Sequence, residues 1–181
     1  MDANMPMLDT RQSPVADLAP GVIGRPLSDA DVPEVTAMER VACVHPLHAW
    51  TDENYRSSLR AGYWARVLCE ADTGRVVAVC VAMDGVDEVH LLNIAVALDC
   101  HGRGLARALM AELVWHCRQC RAEALWLEVR PSNTRARALY LREGFADVGL
   151  RKRYYPAASG REDALVMRRL IELSEELHAL D

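Results

Sequence analysis

The sequence predicts a mixed α/β domain, a central and mostly antiparallel twisted sheet of about seven strands flanked by helices. Three observations predict it. The β-like runs Tyr63 to Ala71, Arg75 to Met83 and Val86 to Val96 follow one another with only turn residues between them. A helix-period run beginning at Leu105 comes next, then another strand-like run from Ala124 to Arg130. Two more β-like runs, Val148 to Tyr155 and Asp163 to Leu170, close the pattern.

Taken in order, Val22 to Pro26 forms a short first strand. Ser28 to Asp31 offers helix caps, and Asp31-x-x-Glu34 has the form of a capping box for a helix reaching Val41. Pro46 interrupts, and Thr51 or Asp52 can cap a second short helix to about Ala61. Asp72-Thr73-Gly74 and Asp84-Gly85 supply hairpin turns for the meander. Leu105, Leu109, Leu113 and Cys117, flanked by Ala106, Met110 and Val114, make one apolar helix face. Asn133 opens a further helix with Ala136, Leu139 and Tyr140 on one face. Gly144 ends it at the C′ position with Phe145 as its apolar C″ residue. Ile171 to Leu180 reads as a terminal helix. No repeat or internal boundary appears, so residues 21–181 read as one domain behind a flexible, proline-bearing leader, 1–20.

Composition narrows the function. The chain has 181 residues, 51% hydrophobic, enough for one domain with its own core. Its longest apolar run, Val76 to Met83, suits a buried strand and falls short of the ~20 residues that cross a bilayer. The N-terminus lacks the basic start and apolar stretch of a secretory signal, which predicts a cytoplasmic protein with no membrane partner. A net charge of −5 argues against sequence-independent nucleic-acid binding. Among the six cysteines, Cys117 and Cys120 form a C-x-x-C beside His116. No second ligand pair follows at metal spacing, so the sequence predicts no metal and a partly buried helix turn there.

The stretch LNIAVALDCHGRGLARAL, residues 92–109, runs from a strand through two glycines into a helix. The first N–H groups of a helix lack internal partners and share the positive end of its dipole, which suits a phosphate. Gly102 and Gly104 remove side chains from the approach, and Arg103 and Arg107 add charge. An ordinary strand–helix connection remains the alternative. No Gly-Lys-Ser/Thr follows, and no βαβ unit surrounds the stretch, so neither a nucleotide-hydrolysing loop nor a dinucleotide site fits.

The same stretch resembles the acetyl-CoA signature of the GNAT N-acetyltransferase superfamily, Gln/Arg-x-x-Gly-x-Gly/Ala, here His101-Gly102-Arg103-Gly104-Leu105-Ala106. LWLEVRPSNTRARALYLREGF and GLRKRYYPAASGREDALVM resemble the bacterial ribosomal-protein alanine N-acetyltransferases (RimI type). The similarity covers about residues 86–170, with a looser match from 22 onward. Two departures stand out. His101 replaces Gln or Arg, which main-chain phosphate binding should tolerate. In HPLHAWT (45–51) Pro46 is separated from Trp50, where the family has Pro-Trp adjacent on the acceptor side.

The resemblance implies a GNAT fold and direct attack of an amine on acetyl-CoA in a ternary complex. It implies Glu128, which strand alternation sets opposite Leu127 and Val129, as general base, and Tyr140 as general acid. The residue-level alternatives are a surface glutamate and a core tyrosine. It further implies that backbone groups of Ile94, Ala95 and Val96 bind the cofactor arm where the strand splays, that His101 to Arg107 hold its pyrophosphate, and that Asn133, otherwise an N-cap, touches it. Trp50, Tyr154, Tyr155 and Glu162 would line the acceptor side. The implied acceptor and partner is a protein N-terminus, that of the N-terminal alanine of a small-subunit ribosomal protein. A small amine or lysine acceptor, and a non-catalytic CoA- or partner-binding module, are the alternatives.

Overall fold

The computed structural model describes residues 19–43, 49–157 and 160–172. Its strands form one seven-stranded sheet in the order β1-β2-β3-β4-β5-β7-β6. These are β1 (Val22–Pro26), β2 (Trp64–Glu70), β3 (Val76–Asp84), β4 (Glu88–Val96), β5 (Ala124–Val129), β6 (Ala146–Ala157) and β7 (Gly160–Leu170). The helices are α1 (Val32–Ala42), α2 (Asp52–Arg60), α3 (Leu105–Gln119) and α4 (Thr134–Arg142). β4 and β5 pair in parallel; every other neighbouring pair is antiparallel. The mixed, mostly antiparallel sheet expected from the sequence is therefore present.

Two apolar layers cover the sheet. On one face Leu105, Leu109, Leu113 and Cys117 of α3, with Tyr140 of α4, pack on Ala78, Cys80, Leu125 and Leu127. On the other, Val32 and Val35 of α1 and Tyr55 of α2 pack on Val67, Val79 and Val81. Both faces of β3 are thus covered, which is why its first seven residues are all buried and read as one continuous apolar run. Among the described residues no helix is long and apolar enough to cross a membrane.

Local chemistry sets the element ends. Thr51 caps α2, its Oγ1 accepting from Asn54 N at 3.3 Å while Thr51 N donates to Asn54 Oδ1 at 2.9 Å. At the end of α4, Phe145 N donates to Tyr140 O (3.0 Å) and Gly144 N to Leu141 O (3.2 Å), the paired bonds of a Schellman motif, as the Gly144-Phe145 pair predicts.

Several details differ from expectation. β6 and β7 extend beyond their expected ends, to Ala146–Ala157 and Gly160–Leu170. The capping box at Asp31 and Glu34 does not form. Ser28 N donates to Asp31 Oδ2 (2.9 Å), Arg25 grips the same carboxylate with two bonds of 2.7 Å, and Glu34 instead accepts from Val76 N (2.9 Å). β4 begins at Glu88, because Gly85 N closes the turn on Glu88 O (2.8 Å) and leaves Val86 exposed at its tip. Ile171 and Glu172 are in no helix, and the rest of the expected terminal helix lies outside the described residues, as do 1–18 of the expected leader and 44–48 of HPLHAWT. β5 ends at Val129, one residue short, where Arg130 turns away to bond Pro156 O at 2.9 Å.

Candidate active site

β4 passes through a single turn, Leu98–Cys100, into the glycine stretch. Gly102 and Gly104 have φ of +83° and +80°, a region that side chains disfavour. A Cβ built on Gly102 would meet nothing within 4 Å, so that backbone stands open to an approaching group. Gly104 is the N-cap of α3, and the first turn holds no acidic residue. Ala108 N is the first to bond back, to Gly104 O at 3.0 Å, so the N–H groups before it face out from the helix end. Around this cradle the side chains are paired. His101 Nε2 lies 2.9 Å from Val96 O and its Nδ1 contacts Arg135 of α4, tying strand end, loop and helix together. Arg103 sits 3.7 Å from Glu70 and 3.3 Å from Cys100 Sγ, and Arg107 lies 3.6 Å from Glu143. Leu105 is buried against the core and Ala106 partly so.

Beside the cradle the sheet opens. β4 and β5 pair only from Glu88/Ala124 to Leu91/Leu127. Just there Leu92 is an extra residue against β3, whose Val81 pairs Asn93 and whose Ala82 pairs Leu91. Beyond it β4 stays with β3, while Glu128 and Val129 pair β7 alone. Ala97 N donates to Val77 O at 2.9 Å, which fixes the alternation of this ladder. Ala95 therefore turns its N–H toward β3, and Ile94 and Val96 turn theirs into the gap. Of the backbone groups named from the sequence, two face the opening and one is taken by the sheet.

Glu128 is the first β5 residue past the pairing with β4, at the mouth of the gap. Leu127 and Val129 belong to the α3/α4 layer with Tyr140, so alternation sends Glu128 to the opposite face. Its carboxylate is half-buried, 2.8 Å from Arg151 Nε, and accepts a hydrogen bond from the Tyr154 hydroxyl that raises that phenol's pKa. Tyr154 reaches it because β6 slips register between Arg151 and Tyr155, with Arg153 at φ +53°. Tyr154 and Tyr155 stack edge-on at 4.9 Å, and the Arg130 guanidinium lies 4.2 Å over the Tyr155 ring. Burial pushes the Tyr155 phenol up to about 12. Glu162 accepts from Ser132 N at 2.8 Å and lies 3.3 Å from Arg130, bracing the loop after β5.

Tyr140 is buried beside Phe145, ring centroids 5.7 Å apart, and burial holds its phenol well above the ordinary value. Asn133 caps α4, its Oδ1 accepting from Ala136 N at 3.2 Å. Glu128, with Arg151 and the Tyr154–Tyr155 pair about it, thus lies on one face of the sheet, and Tyr140 in the α3/α4 layer on the other.

Trp50 stands with residues that the sequence reading missed. Glu39 is buried on α1, where its Oε1 accepts from Trp50 N (3.1 Å) and its Oε2 from Asn93 Nδ2 (3.1 Å) and from the Tyr55 hydroxyl. Asn93 also donates to Tyr55 OH at 2.9 Å. Burial raises the pKa of this carboxyl, against the three donors. Asn93 precedes Ile94, so the network anchors β4 at the edge of the gap. The signal was available: Val32, Val35, Thr36 and Glu39 share helical spacing, which puts a carboxyl in an apolar stripe.

The chain is similar to known proteins over most of its length. Residues 33–145 match the model of the acetyltransferase (GNAT) family. A [ribosomal protein bS18]-alanine N-acetyltransferase of Escherichia coli K12 is 36% identical over 141 residues, 78% of this chain and 92% of the relative. The crystal structure of the ribosomal-protein-S18-alanine N-acetyltransferase from Escherichia coli superposes with a TM-score of 0.75 at 33% identity, covering 86% of this chain and 97% of the other. Ard1 from Thermoplasma volcanium, at 24% identity, shares the fold, with a TM-score of 0.73 and coverage of 84% and 99%.

Proposed function

Because the chain belongs to the acetyltransferase (GNAT) family, we propose that it moves the acetyl group of acetyl-CoA to the α-amino group of a protein N-terminus, that of the N-terminal alanine of a small-subunit ribosomal protein. The relatives described above, named for that alanine, support the acceptor. The observation that carries the chemistry is the gap between β4 and β5, with Glu128 on one face of the sheet, Tyr140 on the other and the Ile94 and Val96 N–H groups along its edge.

Acetyl-CoA supplies an activated thioester. The open helix end suits its pyrophosphate: glycine backbone at Gly102 and Gly104, outward N–H groups from Leu105 to Arg107, and no acidic side chain in the first turn. Ile94 and Val96 N–H groups can donate to carbonyl oxygens of the arm or of the acetyl group. His101 and Asn133 border this path from the loop and from α4.

An α-amino group, with a pKa of about 7.7–8.0 against about 10.4 for lysine, needs only modest help to become a nucleophile near neutrality. Glu128 takes its proton at a carboxylate oxygen, displacing the Tyr154 hydroxyl or the Arg151 guanidinium that engages it in the structure. Tyr140 gives its phenolic proton to the departing thiolate; burial keeps that phenol protonated near neutrality. Tyr154, Tyr155 and Trp50 wall the approach of the peptide, and Glu162 holds the loop behind them.

Acetyl-CoA turnover on peptides with free and with blocked N-termini tests the reading. Acetylation should require a free N-terminal alanine. Equal turnover of a blocked, lysine-bearing peptide would assign the side chain as acceptor, and tight acetyl-CoA binding without turnover on any amine would make the chain a binding module.

A further inference from the structure

The Cys117–Cys120 pair does not act as a pair. Cys117 is buried in the α3 core, and Cys120, at the C-cap, is exposed. Burial holds the Cys117 thiol up at about 12, which is the reverse of a poised redox thiolate. Cys120 instead shares a helix face with His116, one turn earlier. β3 ends directly opposite, and Asp84 Oδ1 lies 2.8 Å from His116 Nε2. The imidazole nitrogen, the thiol sulfur and a carboxylate oxygen all lie within 4.8 Å of one another. Trp64 stacks on the imidazole (5.1 Å, 23°) and fixes its plane.

We infer that Asp84, His116 and Cys120 form a binding site for a divalent zinc-class cation, with a fourth position open to water. A nitrogen, a sulfur and an oxygen donor at this separation match the borderline-soft preferences of Zn²⁺. The thiolate and carboxylate together neutralise the ion, and the C-terminal end of α3 adds the negative end of its dipole. The ligands come from two elements, which is why spacing along the chain does not show the third. The ion would clamp the end of α3 to the β3–β4 hairpin. Gly104 lies at the other end of the same helix, about 18 Å from His116 at 1.5 Å per residue, so the role is structural and separate from acetyl transfer.

Zn²⁺ is titrated into the full chain, metal-free and reduced with a non-thiol reductant, in competition with a chromophoric chelator. One equivalent should bind at micromolar protein and raise the melting temperature. Cys120→Ser, His116→Ala and Asp84→Asn should each weaken it at least about tenfold, since even outer-shell partners of a metal cost 10–100-fold. Co²⁺ in place of Zn²⁺ should show a thiolate-to-cobalt absorption that Cys120→Ser abolishes and Cys117→Ser keeps. Failure to bind one equivalent, binding untouched by the His116 and Cys120 substitutions, or loss of the band only with Cys117→Ser would overturn the site.

Discussion

Glu128 and Tyr140 stand on opposite faces of one sheet, carried by β5 and by the helix that directly follows it. Between them β4 and β5 have parted, so a substrate in that gap meets a carboxylate from one side and a phenol from the other. In the reaction proposed above, this division lets the base and the acid approach one thioester from opposite faces of the sheet.

Glu128→Gln keeps the shape and the bond to Arg151 or Tyr154 but cannot take a proton. Turnover should fall ~10²–10⁴-fold, the range for a general base. Acetyl-CoA affinity, measured by calorimetric titration, should barely move. Near-normal turnover at neutral pH would assign the proton to solvent.

Tyr140→Phe keeps the packing on Phe145 and deletes one hydroxyl. Stability should change by no more than about 1 kcal/mol, the worth of an ordinary hydrogen bond. Activity should fall much further. Equal rates for variant and wild type at low and at high pH would leave Tyr140 a core residue.

Gly104 separates strain from charge. At φ +80° any side chain costs about 1–2 kcal/mol, so Gly104→Ala and Gly104→Glu share that penalty. Only the glutamate brings negative charge to the open end of α3. Acetyl-CoA binding should weaken far more in Gly104→Glu than in Gly104→Ala, with both folded by circular dichroism. Equal affinity in the two would remove the phosphate from this end of the helix.

Features set by neighbours in sequence were legible. The α3 stripe, the Thr51 cap and the Gly144-Phe145 stop each rest on residues within a few positions of one another. The glycine junction was legible for the same reason. The gap was not, because it depends on an extra residue at Leu92 and on β5 leaving β4 for β7, both pairings across the chain. Glu34 has the spacing of a cap, but its partner, Val76 N, is 42 residues away. Glu39 breaks an apolar stripe, but its partners Tyr55 and Asn93 lie 16 and 54 residues on, beyond the reach of local pattern.

Glu39 gives the fold a pH dependence of definite sign. Burial makes its carboxyl harder to ionise in the folded protein than in the unfolded chain, where a glutamate titrates near 4.3. Below that value both states hold the proton, and the stabilisation is fully present. As pH rises the unfolded chain releases its proton first, and the stabilisation declines until the folded-state value is passed. Asp31 acts in the opposite sense. The Arg25 guanidinium holds its pKa well below the usual range, so its contribution is present at neutrality and lost as pH falls through the acid range. A direct comparison of wild type with Glu39→Gln cancels Asp31 and isolates Glu39. Denaturant unfolding of both proteins from about pH 4 to about pH 8 should show the wild type's stability relative to the variant greatest at the acid end and shrinking as pH rises. A relative stability that grows with pH would mean that the Trp50, Tyr55 and Asn93 donors outweigh burial and hold Glu39 as a carboxylate.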